Sequence, residues 1–417
     1  MARKLGTGTM IVLTGGTGFV GSHLVERLRG SAELLLVSRD PAAAAQRFPT
    51  VATCDYAELR GRDLAGATIV HLAARNNDRP GTADEFHTAN VDFLLDVAAI
   101  AEAGGAVCFV NLCSTHALEP QPGDFYGLSK QEGARALAAA WPKGAVNLYV
   151  PAIYGQSFHG RLATLNRLPS VVRPFALGLL RQIKPMLSVN ILVPALLALA
   201  SRPINHSDCW SSEQYLADPV PDAGLYAAAK RAIDLLAVLV VTVVAGWAML
   251  LVALYVRLDS RGPAIFAQQR VGRGGRVFTC YKFRTMTVGT AHAATHEVSA
   301  ASVTRAGRFL RRTKLDELPQ VANVLMNQMS LVGPRPCLPL QTELVSRRSN
   351  RGVLEVKPGI TGLAQIRDID MSNPARLSAW DDRYRAFRTL LMDVVILLRT
   401  VRGGGSGDRT APAGTVG

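Results

Sequence analysis

At 417 residues and 48% apolar content, the chain is long enough for two separately cored domains. Its formal charge of +14 is concentrated in one half: residues 1–221 carry 19 Lys/Arg against 18 Asp/Glu, and residues 222–417 carry 27 against 14. A basic half calls for anionic partners, but no zinc finger, RNA-binding aromatic signature or other nucleic-acid module is present. Nucleic acid is therefore set aside in favour of lipid and nucleotide.

Arg3 and Lys4 precede only a short apolar segment, which reads as a strand and not as a signal peptide. Met10 to Thr14 is that strand. GGTGFVG follows, with Gly15, Gly18 and Gly21 spaced G-x-x-G-x-x-G, and Leu24, Val25 and Leu28 continue as a helix face. Strand, glycine turn and helix are the context in which backbone amides approach a pyrophosphate. The next strand, Leu34 to Val37, ends in Ser38-Arg39-Asp40. Ser38 stands where an NAD site has an acid, and Arg39 favours the 2′-phosphate of NADP, while Asp40 keeps NAD open. Asp55, after the next short segment, is assigned to the cofactor with Gly15, Gly18, Gly21 and Arg39.

Ile69 to Ala74 and Val107 to Leu112 read as further buried strands. Tyr126-Gly-Leu-Ser-Lys130 places a phenol and an ammonium on one helix face. Lys130 is expected to lower the phenol pKa, so that Tyr126 exchanges a proton with a sugar hydroxyl or ketone while a cofactor exchanges a hydride. Thr115 is expected to hydrogen-bond the same oxygen.

The glycine loop, His71-Leu-Ala-Ala, Asn90, Thr115 and Tyr126/Lys130, in this order, resemble the extended short-chain dehydrogenases, the NDP-sugar epimerases and dehydratases. The resemblance covers about residues 10–200, with Val146–Gly155 and Ser188-Val189-Asn190 as further landmarks. It implies a Rossmann-like doubly wound parallel sheet. Three features depart from the family: the short Thr115–Tyr126 interval, Tyr149 where an Arg is usual, and a substrate lobe that stops near Pro203. A domain that only senses a nucleotide or supports its neighbour is the alternative.

Ser201 to Gly224 has three prolines and several turn formers and reads as a linker. The run Leu235 to Val256 is uncharged for 22 residues, enough at ~1.5 Å per residue to match a ~30 Å hydrocarbon layer. Lys230 and Arg231 before it, and Arg257, Arg261, Arg270, Arg273 and Arg276 after it, make both flanks positive. Positive flanks stay cytoplasmic, so the sequence predicts a re-entrant hairpin. No Pro occurs between Pro221 and Pro263, which leaves Gly246 as the candidate break.

Tyr281-Lys-Phe-Arg-Thr-Met286 follows a glycine-rich basic turn and puts Lys282 and Arg284 on one strand face, suited to a diphosphate. Ala291 to Ser302 reads as a mobile loop. Arg308, Arg311 and Arg312 then lead to TKLDELPQVANVLMNQMSLVGPRP. Leu318, Val321, Ala322 and Leu325 predict a helix starting near Asp316, with Pro319 tolerated in its first turn. An ionised carboxylate there can act as nucleophile and its neighbour Glu317 can hold a divalent cation, while Arg335 in Gly-Pro-Arg-Pro can grip a phosphate.

From Lys230 to about Thr400 the chain resembles the bacterial sugar transferases, the monotopic phosphoglycosyl transferases. The blocks carrying the likeness are Leu258–Met286, Thr313–Pro336, Val356–Gln365, Asp381/Tyr384 and Asp393. The resemblance implies that Asp316 attacks the β-phosphate of a UDP-sugar, UMP leaves, and polyprenol phosphate takes the phosphosugar. It implies Mg²⁺ on Glu317 and Asp316, with Lys282 and Arg335 as clamp, and a small α/β domain on the cytoplasmic face of the bacterial inner membrane, in contact with membrane lipid. The boundaries read from the sequence are 1–204 for the NAD(P)-binding domain, 205–227 for the linker, 228–257 for the membrane helix, 258–402 for the transferase domain and 403–417 for a disordered tail. A homodimer is left open. Two rival readings are a dehydrogenase with a membrane anchor and an inactive assembly scaffold. The six cysteines form no Cys-x-x-Cys pair and read as buried reduced thiols.

Overall fold

The computed structural model describes residues 10–28, 33–155, 160–200, 213–220, 224–289 and 302–404. Most of the expected Ala291–Ser302 loop, the tail beyond Gly404 and Cys209 lie outside these residues. The other five cysteines are buried and unpaired. The chain divides near Asp218 into two units.

The first unit is built on seven strands: β1 (Met10–Thr14), β2 (Glu33–Val37), β3 (Ala52–Cys54), β4 (Thr68–His71), β5 (Cys108–Ser114), β6 (Ala145–Val150) and β9 (Glu213–Tyr215). Their order in the sheet is β3-β2-β1-β4-β5-β6-β9, every neighbouring pair parallel. The short strands β7 (Ala152–Tyr154) and β8 (Met186–Ser188) pair separately. β4 and β6 are buried along their whole length, as strands must be when helices cover both sheet faces. One face packs on Leu24, Val25, Leu192 and Leu196 and the other on Leu94, Val97 and Leu137. Strand order reverses between β1 and β4, which opens a crevice at their C-terminal ends.

The stretch read as a linker contributes to this unit. β9 pairs with β6, and Tyr215 stacks on Tyr149 with ring centroids 5.6 Å apart. Three residues on, buried Asp218 accepts hydrogen bonds from the Ser188 amide (2.7 Å) and the Tyr154 hydroxyl (2.6 Å). The unit therefore closes at Asp218, not at 204. Proline content marks irregular chain, but three extended residues suffice to add an edge strand.

The second unit begins with one helix, Leu225–Asp259, of 35 residues. Among the described residues it is the one helix long and apolar enough to cross a membrane. It is uninterrupted, and this corrects the expected hairpin. A lone Gly246 costs a helix only ~1 kcal/mol and keeps its N–H, whereas a break needs the lost donor and the clash of a proline.

After it come the hairpin β10 (Ile265–Val271) and β11 (Val277–Phe283), closed by Arg273–Gly275 with Gly274 and Gly275 at φ +66° and +76°. β12 (Ser330–Val332) and β13 (Gly359–Thr361) form a parallel pair. Helices Thr342–Asn350, Pro374–Phe387 and Leu390–Val401 complete the unit.

Both ends of the long helix are fastened to this unit. At its start, Lys230 Nζ donates to Asp393 (2.7 Å) and to the Val332 carbonyl (3.0 Å), and the Tyr226 hydroxyl donates to the same carboxylate. One turn on, Asp234 accepts from the Ser330 hydroxyl and the Leu331 amide. Arg231 donates to the Val324 and Leu325 carbonyls. At its end, Asp259 accepts from the Ala306 amide. Between, Val238 packs on Phe278 and Val324, and Val256 on Phe283 and Leu310. The opposite face, including Leu239, Val243, Trp247, Leu250 and Leu254, is exposed.

Candidate functional site

In the second unit, helix Arg305–Thr313 ends at Lys314, which adopts the left-handed conformation (φ +58°). A 3₁₀ turn, Leu315–Gln320, follows, and the α-helix proper is only Val321–Leu325. Asp316 and Glu317 thus lie in the first turn of a 3₁₀ segment rather than of an α-helix. Pro319 and the Lys314 bend favour the tighter turn. A non-glycine residue held left-handed beside a carboxylate pair stores strain of the kind found at functional sites. Asp316 is buried.

Glu317 gathers the cations. Its Oε1 accepts from Arg335 at 2.8 Å and from Lys282 at 3.4 Å. Three groups that the sequence separates by up to 53 residues therefore share one point, and Asp316 is adjacent to it. Three further residues, none of them assigned to this site from the sequence, hold the geometry. Fully buried Asn323 accepts from the Tyr281 amide (3.1 Å) and donates to the Thr279 carbonyl (2.6 Å). Its amide acts as a short piece of strand on the open edge of β11, and so fixes the carboxylate turn against Lys282. Its signal was an Asn in an apolar helical run. Arg348, paired with buried Asp381 at 2.7 Å, donates to the Arg335 carbonyl. Arg270 donates to the Pro336 carbonyl. Both hide among arginines that look like surface charge.

Arg284 does not join this cluster. It is buried, and its guanidinium donates to the Pro263 carbonyl (2.7 Å), the Ser260 hydroxyl (2.7 Å) and the Ser260 carbonyl (2.8 Å). It caps the C-terminal end of the long helix. Arg311 donates to the Thr285 hydroxyl and Arg308 to the Val303 carbonyl.

Asp316 and Glu317 form a hard-oxygen pair of the type Mg²⁺ takes together with substrate phosphates and waters. Among the described residues no set of three or more His, Cys, Asp or Glu is grouped for a metal. Any ion here would rely on the substrate for its remaining ligands.

In the first unit, a cleft of about 1450 Å³ opens at the β1/β4 crevice. Gly15 (φ +70°) and Gly18 line it, and a Cβ on Gly15 would meet the Ala73 amide at 2.7 Å. A Cβ on Gly21 would strike the Gly15 carbonyl at 2.4 Å. The loop is thus a backbone cradle closed to side chains, and it fits a dinucleotide. Arg39 and Arg47 both line the cleft. Asp40 lines it as well, and its side chain caps the helix Pro41–Arg47 through the Ala43 amide. Asp55 is not in the lining: it caps Tyr56–Leu59 through the Glu58 amide, and Tyr56 forms that wall. An Asp that opens a helix is drawn to its free N–H groups.

Tyr126 and Lys130 share the helix Phe125–Ala140. Burial pushes the Tyr126 phenol up to about 12, and a hydrogen bond with Ser114 draws it back. Ser114, not Thr115, is the hydroxyl beside the phenol. Lys130 is buried, with its pKa lowered by desolvation, and donates to the Leu112 carbonyl at 3.1 Å. It braces the end of β5, and Lys130 is not among the groups that shift the phenol. Asn90 sits on a π-turn, Thr88–Asp92, and ties the Arg75 backbone to Ser129. Neutral His71, its pKa depressed to about 3 by burial, bonds Thr14 at 2.9 Å.

Comparison with known proteins finds two family matches: bacterial sugar transferase over residues 225–405, and NAD dependent epimerase/dehydratase over residues 11–191. The undecaprenyl-phosphate galactose phosphotransferase of Salmonella typhimurium is 35% identical over 193 residues, covering 42% of this chain and 40% of that protein. The uncharacterized sugar transferase EpsL of Bacillus subtilis is 39% identical over 180 residues, 42% of this chain and 85% of that one. The UDP-glucose:undecaprenyl-phosphate glucose-1-phosphate transferase of Caulobacter vibrioides is 38% identical over 182 residues, 41% of this chain and 68% of that one. The chain thus spans less than half the length of the Salmonella relative.

Lys282 of β11 and Arg284 just beyond the strand are expected to separate by experiment. Arg284→Lys leaves charge but too few donors for the helix end, and thermal unfolding in detergent should fall by several degrees, since buried acceptors left unpaired cost about 1–3 kcal/mol each. Lys282→Met should leave the unfolding temperature within about 2 degrees, its partner Glu317 keeping Arg335.

Proposed function

The chain belongs to the bacterial sugar transferase family, and from that membership we propose that its second unit transfers a sugar-1-phosphate from a UDP-sugar to polyprenol phosphate. The observation that carries this is the convergence of Lys282 and Arg335 on Glu317 beside buried Asp316. Asp316 is the nucleophile. Its carboxylate oxygen attacks the β-phosphorus, the bond to the bridging oxygen breaks, and UMP carries away that electron pair. The phosphosugar-aspartyl ester is then attacked by the phosphate oxygen of polyprenol phosphate, which restores the carboxylate.

Phosphoryl transfer demands positioning and charge neutralisation above all. Arg335 presents a planar fork to the diphosphate and Lys282 a point charge. Glu317 holds both in place before substrate arrives. Mg²⁺, when held by Asp316 and Glu317 together with the substrate, neutralises diphosphate charge.

The first unit is read as an NADP-linked enzyme acting on a sugar nucleotide. Asp40 caps its helix, and the end of β2 presents Ser38 and Arg39, with Arg47 nearby on the same cleft. Arg39 and Arg47 outweigh Asp40, whose carboxylate is shared with its helix cap, and two cations there favour a 2′-phosphate. Tyr126 and Ser114 are its proton-handling pair.

The long helix is read as membrane-embedded from one side. Tyr226, Lys230 and Asp234 at its start and Asp259 at its end bond to one unit. A helix pinned to one body at both ends cannot deliver those ends to opposite faces of a bilayer. The same-face topology inferred from the flanking charges is thus supported by another device, without a helix break.

Three outcomes are expected. UMP release from a panel of UDP-sugars, in membranes with polyprenol phosphate and Mg²⁺, should vanish in Asp316→Asn. It should fall about 10²–10³-fold in Arg335→Ala. Release unchanged in Asp316→Asn would remove the covalent mechanism. Calorimetric NADP affinity should drop about 10–100-fold in Arg39→Ala with NAD affinity little altered; equal losses would count against the 2′-phosphate assignment. Cysteines placed at Gly224 and Arg261 should react with an impermeant maleimide only from the same side of the membrane, and opposite reactivity would establish a crossing.

A further inference from the structure

The β10–β11 turn carries Arg273 and Arg276, which the transfer reaction leaves unused. The turn forms one wall of a cleft of about 490 Å³ in the second unit, and Lys357, Asn327, Gln328 and Phe278 complete its lining. Among the described residues no carboxylate lines it. Lys357 donates to Asn327 at 2.6 Å. Burial, followed by the positive charges of Arg231 and Arg273, holds the Lys357 ammonium below its usual range. The carboxylate acting on Lys357, Asp234, already accepts from Ser330 and Leu331. Three cations, Arg273, Arg276 and Lys357, thus line one concave space, an arrangement that attracts an anion.

Its surroundings narrow the class of anion. Phe278 lies in the same packed cluster as Val238 of the long helix. Leu325 and Met326, immediately before Asn327, are exposed at 58% and 49%, and Leu235, Leu236 and Leu239 are exposed where the uncharged run begins. A basic cleft therefore opens beside an apolar lip. Lys282 is five residues along β11 from its start, roughly 17 Å of strand, so a phosphate in this cleft is not the one handled at Asp316.

We propose that the cleft binds a phosphate group, and that its source is the headgroup of an anionic phospholipid whose acyl chains lie over the Leu325–Met326 lip. The lipid assignment rests on the reading that the long helix is embedded in a membrane.

The test uses the full-length protein released from nanodiscs and examined by native mass spectrometry. The probes are phosphatidylglycerol, phosphatidylcholine and, separately, inorganic phosphate. Wild type should retain phosphatidylglycerol, and the double variant Arg276→Gln/Lys357→Gln should retain at least about ten-fold less, the loss of two charge-assisted contacts. UMP release should persist in that variant, which shows that it folds. Equal retention by wild type and variant would overturn the site. Displacement of phosphatidylglycerol from wild type by millimolar inorganic phosphate would overturn the lipid source. Sedimentation with pure phosphatidylcholine vesicles reports the helix alone, so its failure strikes the membrane reading and not the cleft.

Discussion

The second unit depends on how an apolar helix is held by polar bonds. Twenty-two uncharged residues cannot rest in water, yet the helix that contains them is fastened at its start by Lys230–Asp393 and Asp234, and at its end by Asp259 and the Arg284 cap. The Lys230–Asp393 pair is largely buried, and Tyr226 and Tyr384 add hydrogen bonds to the carboxylate. A buried pair so satisfied is costly to break from either side. It also links three segments far apart in the chain: the start of the long helix, helix Pro374–Phe387 and helix Leu390–Val401. Lys230 further reaches the Val332 carbonyl on β12, from which the chain continues to Arg335. Helix anchorage and catalytic geometry therefore share a scaffold.

The carboxylate cluster uses the same logic at shorter range. Lys282 and Arg335 carry like charges and would spread apart if left alone. Glu317 draws both to one oxygen, and Asn323 fixes the backbone on which Glu317 and Lys282 sit. The cluster is organised without a ligand, and in the proposed function the organising carboxylate is one that a diphosphate can displace. In the proposed mechanism the two adjacent acids divide the work: Glu317 gathers the cations and Asp316 is the nucleophile.

Much of this was legible in the sequence. The glycine loop, the buried strands and the Tyr126/Lys130 helix were visible as local pattern, and the Asp316, Glu317, Lys282 and Arg335 set came from the resemblance to the sugar transferases. What could not be seen were contacts fixed by the fold. β9 lay within a proline-rich stretch because three residues carry no periodicity. Asp55 looked like a cofactor ligand because an Asp that opens a helix and an Asp that binds a cofactor are the same residue type in the same place. Ser114 and Thr115 are adjacent, and only the emergence of β5 decides which hydroxyl faces the phenol. Lys130 reads as a partner of Tyr126 from helical spacing, but one turn is enough to bury its ammonium under a strand carbonyl.

Lys282 and Arg284 show where pattern stops and geometry begins. Two residues apart, they share a strand face by parity, and Phe278 and Cys280 on that face do pack toward Val324 and Met329. Lys282 extends the row to Glu317. The ladder, however, ends with the Ile265–Phe283 pair. Arg284 stands beyond it and is free to turn toward the helix end, where oxygens from Pro263 and Ser260 await donors. A guanidinium can serve several acceptors at once in a plane, and an ammonium at the same place could not. Residue type therefore sorts the two: the point charge goes to the site where substrate arrives, and the fork goes to the end of the helix that must be held.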